Sequence, residues 1–312
     1  MIGQAPPRTR DHVAVLMGGW SAEREISLKS GAAVAAALER EGYRVTTVDV
    51  GRDVAARLAG IMPDVCFNAL HGRFGEDGCI QGVLECLAIP YTHSGVLASA
   101  LAMNKLTAKR LFRDAGIRCA EHVVVSRDDI LKGDVMQRPY VIKPFNEGSS
   151  VGVRLVFEDT EDLRMSDADW PFGEAVMVER YIPGREITVA VMGERALGVT
   201  EIRPQNGFYD YQAKYTEGRA RHLVPAPMHP DAYAEAMDFA VRAHRSLGCR
   251  GVSRADMRYD DTMGEPGQVY ILEVNTQPGM TPLSLVPELA AHNNISFAEL
   301  VAWMVENAAC DA

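Results

Sequence analysis

The chain of 312 residues has no apolar run approaching the roughly 20 residues that a membrane-spanning helix requires. Its opening segment, Met1 to His12, is polar and contains proline, and it lacks the apolar centre of a secretory signal. Cysteine is sparse, with six residues (Cys66, Cys79, Cys86, Cys119, Cys249 and Cys310) and no C-x-x-C pair. That spacing excludes a zinc knuckle and a dense disulfide framework, and it fits reduced, structurally idle thiols. There is no basic surplus: 32 Lys and Arg against 42 Asp and Glu leave a net charge of −10, which argues against a nucleic-acid partner. No repeat of 20–50 residues and no low-complexity run is visible. The expectation is a cytoplasmic protein with no nucleic-acid and no membrane partner. Two familiar phosphate-binding signatures, G-x-x-x-x-G-K-[ST] and G-x-G-x-x-G, are also missing. Acidity does not exclude an anionic ligand, because a phosphate site needs only a few local lysines and backbone N–H groups.

The remaining composition, 47% apolar and 24% charged, is that of a globular protein long enough for two or three domains. The first third alternates elements. Val13–Met17 ends at Gly18-Gly19, Ile26–Glu41 is helical in composition, Arg44–Val50 and Asp64–Leu70 are strand-like, and Cys79–Ala88 is helical. This order predicts a parallel sheet flanked by helices, with ligands at the strand C-termini. Ser94–Asn104 reads as a link into a second unit. There Lys105–Ala115 is helical, and Glu121–Val125, Tyr140–Lys143, Gly152–Phe157 and Ala175–Tyr181 are strands. A third unit carries strands Glu186–Met192, Arg195–Ile202, Val252–Arg258 and Gln268–Asn275, with a helix over Asp231–Gly248. The long stretch Arg203–Pro230 is predicted to be an irregular functional loop, because its Phe208, Tyr209, Tyr211 and Tyr215 argue against plain disorder.

Side chains two apart on a strand share a face. Arg254 and Asp256 therefore point one way, and so do Glu273 and Asn275. A turn-rich segment between the two runs would let a hairpin set them side by side. Either strand alone reads as a solvated polar face. Together, and followed by Pro278-Gly279, they read as a site of hard oxygen ligands for Mg²⁺ shared with substrate phosphates. Lys143 ends a strand and precedes a Glu-Gly-Ser-Ser turn whose N–H groups can close over phosphates, and Lys105 opens a helix that can reach the same place. Each signal is weak alone. Glu23 and Glu25 follow the first strand. They serve equally well as helix N-terminal charges or, for Glu23, as a partner for a substrate ammonium. His71, at the third strand end, receives no acid–base role on this evidence.

Five segments in order give the chain a specific resemblance. Gly18-Gly-x-Ser-Ala-Glu-Arg-Glu25, Leu70-His-Gly-Arg-x-Gly-Glu-Asp-Gly78, Glu147-Gly-Ser-Ser-Val-Gly152, Phe208-Tyr-Asp-Tyr-x-Ala-Lys-Tyr215 and Glu273-Val-Asn-Thr-x-Pro-Gly-Met-Thr281 resemble the D-alanine–D-alanine ligases. The likeness runs from about Val13 to Ala302. It implies an α/β ATP-grasp fold of three α/β domains: a Rossmann-like parallel-sheet domain over 1–103, a central subdomain over 104–184, and a C-terminal subdomain over 185–312 with a lid at about 203–230. It implies that ATP phosphorylates one D-alanine and that the amine of a second attacks the acyl-phosphate, in peptidoglycan precursor synthesis.

By the same resemblance Glu23 holds the first D-alanine's ammonium in a hydrogen-bonded set with Ser149 and Tyr215, and His71 lines that substrate's pocket. Lys105, Lys143 and Lys214 contact ATP phosphates, Glu179, Tyr181 and Ile182 the adenine, and Glu186 the ribose. Asp256, Glu273 and Asn275 bind Mg²⁺ or Mn²⁺. Arg254 and the Gly279 N–H stabilise the oxyanion, and Ser284 and Leu285 receive the second D-alanine. A homodimer is implied. Trp20, Asn104, Arg180 and Gln277 depart from the family's commonest residues, which bears on fine specificity. A ligase with a D-serine, D-lactate or L-amino-acid acceptor, and a nucleotide-binding regulator without turnover, are the alternatives.

Overall fold

The computed structural model describes residues 9–148, 152–160, 163, 170, 173–204, 220–281 and 284–311. Near the N-terminus β1 (His12–Met17), α1 (Arg24–Arg40), β2 (Arg44–Asp49), α2 (Val54–Ile61), β3 (Val65–Asn68) and α3 (Cys79–Cys86) form a three-stranded parallel sheet of order β2-β1-β3. Strand β1 is apolar throughout because both of its faces are covered. Val13 and Val15 belong to a core shared with α1 and the C-terminal helices, whereas Ala14 and Leu16 face a second core with Val54, Leu58, Ile80 and Leu84.

The next segment differs from its reading as a link, for Val96–Met103 is a helix, α4. Its sequence, Val-Leu-Ala-Ser-Ala-Leu-Ala-Met, is rich in strong helix formers, and it buries Ala98, Ser99 and Ala102. Helix α5 (Lys105–Asp114) follows directly. The Asn104 side chain caps it by accepting the Thr107 N–H at 3.0 Å, so this departure from the family's residue keeps a good N-cap. Strands β4 (His122–Ser126), β5 (Tyr140–Lys143), β6 (Arg154–Val156) and β7 (Ala175–Arg180) form an antiparallel sheet of order β4-β7-β5-β6, with a short helix α6 (Arg127–Lys132) after β4.

The C-terminal sheet is antiparallel, in the order β10-β9-β8-β11-β12. It is built from β8 (Arg185–Met192), β9 (Arg195–Pro204), β10 (Ala220–Leu223), β11 (Val252–Asp260) and β12 (Gln268–Asn275), with helices α7 (Pro230–Ser246), α8 (Leu285–His292) and α9 (Phe297–Glu306). The stretch expected to be irregular from Arg203 to Pro230 is ordered at both ends. Arg203 and Pro204 continue β9, and Ala220–Leu223 pairs with it antiparallel, Ala220 opposite Pro204 and Leu223 opposite Glu201. Residues 205–219 lie outside the described residues.

Candidate active site

The decisive geometry is on β11 and β12. Asp256 stands directly opposite Glu273, and Arg254 opposite Asn275. Opposed residues of a ladder project from the same face, so the four side chains gather on one patch. A register shift at Asp256/Met257 is what permits it. Met257 pairs with Ile271, leaving Leu272 as the extra residue of a bulge. Without it, residues 273 and 275 would fall on the face opposite to Asp256; the bulge re-phases the strand.

Two carboxylates facing each other need positive charge between or beside them. Arg254 clasps Asp256 with both prongs of its guanidinium, at 2.8 and 2.7 Å, and the Thr188 hydroxyl donates to the same carboxylate at 2.7 Å. Lys105 lies 2.9 Å from Glu273. Its ammonium also donates to the Glu147 carbonyl at 2.7 Å, while its backbone N–H donates to Phe145 O at 2.7 Å. One lysine thus ties α5, the turn after β5 and β12 together. The Asn275 side-chain oxygen accepts the Gln277 N–H at 2.7 Å.

A second charge cluster lies deeper. Lys143 on β5 donates to Glu179 on β7 at 2.8 Å, and Lys109 on α5 approaches the other oxygen of the same carboxylate to 2.6 Å. Burial raises the proton affinity of Glu179, but the two ammonium groups outweigh it and hold the carboxyl down to about 2. Burial pulls the Lys143 ammonium below the usual lysine range, against the attraction of Glu179. Beyond Glu179 the chain passes into β8. Ile182 is buried in a small core with Ala120 and Tyr270, Tyr181 packs edge-on to Phe157 at 5.5 Å, and Glu186 sits 3.9 Å from Arg258. Arg180 stacks over the Tyr270 ring at 5.6 Å, so its charge is directed away from Glu179's lysine pair.

The parallel-sheet unit contributes buried, tightly fitted groups. Glu23 is buried. Gly72 (φ +71°) passes so close that a Cβ there would lie 2.7 Å from the Glu23 carboxylate, so only glycine fits. The same carboxylate lies 3.9 Å from the place a Cβ would take at Gly148, the residue before Ser149. His71 is buried between Ser30, 3.1 Å from its Nε2, and Glu76, 3.4 Å from its Nδ1. Ser30 in turn accepts the Met280 N–H at 3.3 Å, next in chain to Gly279, and the Gln277 amide donates to the Asn68 carbonyl at the end of β3. Gly279 lies close to Ser284, for a Cβ there would meet the Ser284 hydroxyl at 2.9 Å. Ser284 binds back to the Thr281 N–H at 2.9 Å and precedes α8, whose first residue is the buried Leu285.

The structure therefore brings Lys105, Glu273, Asp256, Arg254 and Asn275 into one cluster and Lys143 with Glu179 into another. Gln277 and Met280 carry the Gly279 turn to the strand ends that hold His71. Ser149, Lys214 and Tyr215 lie outside the described residues. Sequence reading missed Lys109, Ser30, Glu76 and Thr188. The only signal for Lys109 was its position four residues after Lys105, on the same helical face.

Comparison with known proteins gives a consistent result. The family model described as D-ala D-ala ligase C-terminus matches residues 111–306, and that described as D-ala D-ala ligase N-terminus matches residues 55–94. A D-alanine–D-alanine ligase of Rhodospirillum rubrum is 60% identical over 303 residues, covering 96% of this chain and 99% of that protein. The crystal structure of a D-alanine–D-alanine ligase from Bacillus anthracis superposes with a TM-score of 0.81 at 30% identity, covering 95% of this chain and 97% of that one. The same enzyme complexed with ATP gives a TM-score of 0.80 at 29% identity, covering 96% and 97%.

Proposed function

The chain belongs to the D-alanine–D-alanine ligase family, and from that premise we propose that it joins two molecules of D-alanine at the expense of ATP. Its product serves peptidoglycan precursor synthesis. The observation that carries the reading is the pairing of Asp256 with Glu273 across one ladder, with Lys105 bridging to the turn after β5.

Phosphoryl transfer is mainly positioning and charge neutralisation. Lys105 and Lys143 hold the phosphates, joined by Lys214, while Glu179, Tyr181 and Ile182 border the adenine and Glu186 the ribose. Two carboxylates and an amide oxygen suit a hard cation, so Asp256, Glu273 and Asn275 would hold Mg²⁺ or Mn²⁺, which would neutralise phosphate charge there. Lys105 and Arg254, ion-paired with Glu273 and Asp256, stand beside the same place and face the phosphates and the reacting carboxylate.

Glu23 receives the ammonium of the first D-alanine, with Ser149 and Tyr215 hydrogen-bonded beside it, and the His71–Ser30–Met280 chain fixes the far wall of that pocket. The D-alanyl phosphate forms when the carboxylate oxygen takes the γ-phosphoryl group and ADP leaves. The amine of the second D-alanine, whose carboxylate is received by Ser284 and Leu285 at the start of α8, attacks the acyl carbon. Arg254 and the Gly279 N–H stabilise the resulting oxyanion, and phosphate departs.

No helix among the described residues is long and apolar enough to cross a membrane. The reading places the enzyme in the cytoplasm as a homodimer, which sedimentation would check. The test of function is direct: purified chain with ATP, Mg²⁺ and D-alanine yields ADP, phosphate and dipeptide in equal amounts. Neither phosphate nor dipeptide formed would contradict the reading. Competition with D-serine and D-lactate tests the acceptor assigned to Ser284 and Leu285.

A further inference from the structure

We propose that Lys109 is a positioning residue for the nucleotide phosphates, acting through Glu179 to leave Lys143 with unspent positive charge. The inference rests on the ATP-binding reading above and extends it to a residue that no ligand touches.

The count of charges is the starting point. Two ammonium groups share one carboxylate: Lys109 at 2.6 Å and Lys143 at 2.8 Å from the two oxygens of Glu179. The side chains are 0%, 9% and 3% exposed for Lys109, Lys143 and Glu179. Among the described residues neither lysine has another acidic partner within ion-pair distance. The cluster therefore holds one surplus positive charge in a region shielded from water. An uncompensated buried charge is costly to keep, and it attracts an anion far more strongly there than the same charge would in solvent.

The geometry decides where that surplus is presented. Lys109 is wholly enclosed, held between α5 and the sheet, and cannot meet a ligand. Lys143 ends β5 at the turn that Lys105 ties to β12. If Lys109 were absent, Lys143 and Glu179 would form a neutral closed pair, and the turn would lose Lys143's share of its attraction for phosphate. The shift of Lys143 reports the same balance: burial lowers its proton affinity, Glu179 raises it, and Lys109 lowers it. A sequence-level reading would treat Lys109 as a surface residue of a helix; its enclosure beside Glu179 is the departure that calls for a role.

The test compares ATP with adenosine, which fills the base and sugar sites but has no phosphate. Isothermal titration of the full chain with each ligand, in Mg²⁺, gives two affinities whose ratio isolates the phosphate contribution. Lys109→Met should weaken ATP by about tenfold or more, the size of one lost charge-assisted contact, and leave adenosine within about twofold. Lys109→Met combined with Glu179→Gln restores the surplus charge to Lys143, so the ATP-to-adenosine ratio should recover most of the loss. Equal weakening of ATP and adenosine would mean that Lys109 only supports the pocket, and would overturn the proposal. So would unchanged ATP binding in Lys109→Met, or a double variant no better than the single one. If the unaltered chain bound adenosine and ATP equally, this inference would fall together with the phosphate site; if it bound neither, the ATP-dependent reading itself would be wrong.

Discussion

The two charge clusters use the same residue types and are built for different purposes. Around Glu179 everything is sealed: one carboxylate sits between two lysines from α5 and β5, with almost no surface in contact with water. Around Glu273 and Asp256 the pairs are looser, with Glu273 25% exposed and its partner Lys105 also bound to a backbone carbonyl of a turn. A sealed ion pair cannot exchange partners without unfolding its surroundings, whereas a half-open one can. The first cluster therefore keeps its pairs and sets a field that Lys143 presents to the phosphates, and the second is a set of counter-ions poised at the cation and nucleotide. The internal pairs Lys105–Glu273 and Arg254–Asp256 offset the charge of the facing carboxylates.

The sharpest way to break this contrast is to damage each cluster and compare what is lost. Glu179→Leu leaves two buried ammonium groups without their carboxylate and should lower stability by about 3–5 kcal/mol, read by denaturant titration. A loss under about 1 kcal/mol would show that the cluster is not sealed. Asp256→Asn keeps the shape of the open cluster and removes a cation ligand. Dipeptide formation should fall by about 10²–10³-fold, while the melting temperature drops less than in the Glu179 variant; the reverse ranking would erase the distinction.

Acid provides a finer comparison. The Glu179 carboxyl is held down to about 2 in the folded chain against an ordinary value of 4.5. A depressed carboxyl stabilises the fold fully above its unfolded value and loses that contribution as pH falls toward the folded one. Wild-type stability should therefore decline between about pH 4.5 and 2 more steeply than that of Glu179→Gln, as measured by urea unfolding at each pH. Parallel curves would contradict the assignment. The smallest effect belongs to the wall around His71 and Ser30. Ser30→Ala removes the bonds to His71 and Met280, a loss of about 1 kcal/mol, and should raise the KM for D-alanine roughly fivefold with the KM for ATP unchanged.

Much of this arrangement was legible in the sequence because strand parity is simple. The pairs Arg254/Asp256 and Glu273/Asn275 declared themselves by their i, i+2 spacing, and the turn-rich run between them announced a hairpin. That both pairs share one face was read from the hairpin; what was not legible is the register, with Asp256 opposite Glu273 and Leu272 bulged out of the ladder. Lys109 looked like any solvated helix lysine, because its partner Glu179 is distant in sequence. Ser94–Asn104 reads in the sequence as a link into a second unit, yet the alanines and leucines of Val96–Met103 form α4. Gln277 stood out only as a departure from the family's residue and Ser30 not at all, as their partners, Asn68 and Met280, are distant in sequence.

The most direct test of the account is Mn²⁺ affinity, followed by electron paramagnetic resonance on ATP-loaded protein. Wild type is compared with an Asp256→Asn, Glu273→Gln double variant. The account predicts that the double variant binds Mn²⁺ at least about tenfold more weakly while still binding ATP. Equal Mn²⁺ affinity in the two proteins would contradict it, because the facing carboxylates of β11 and β12 would then hold no cation.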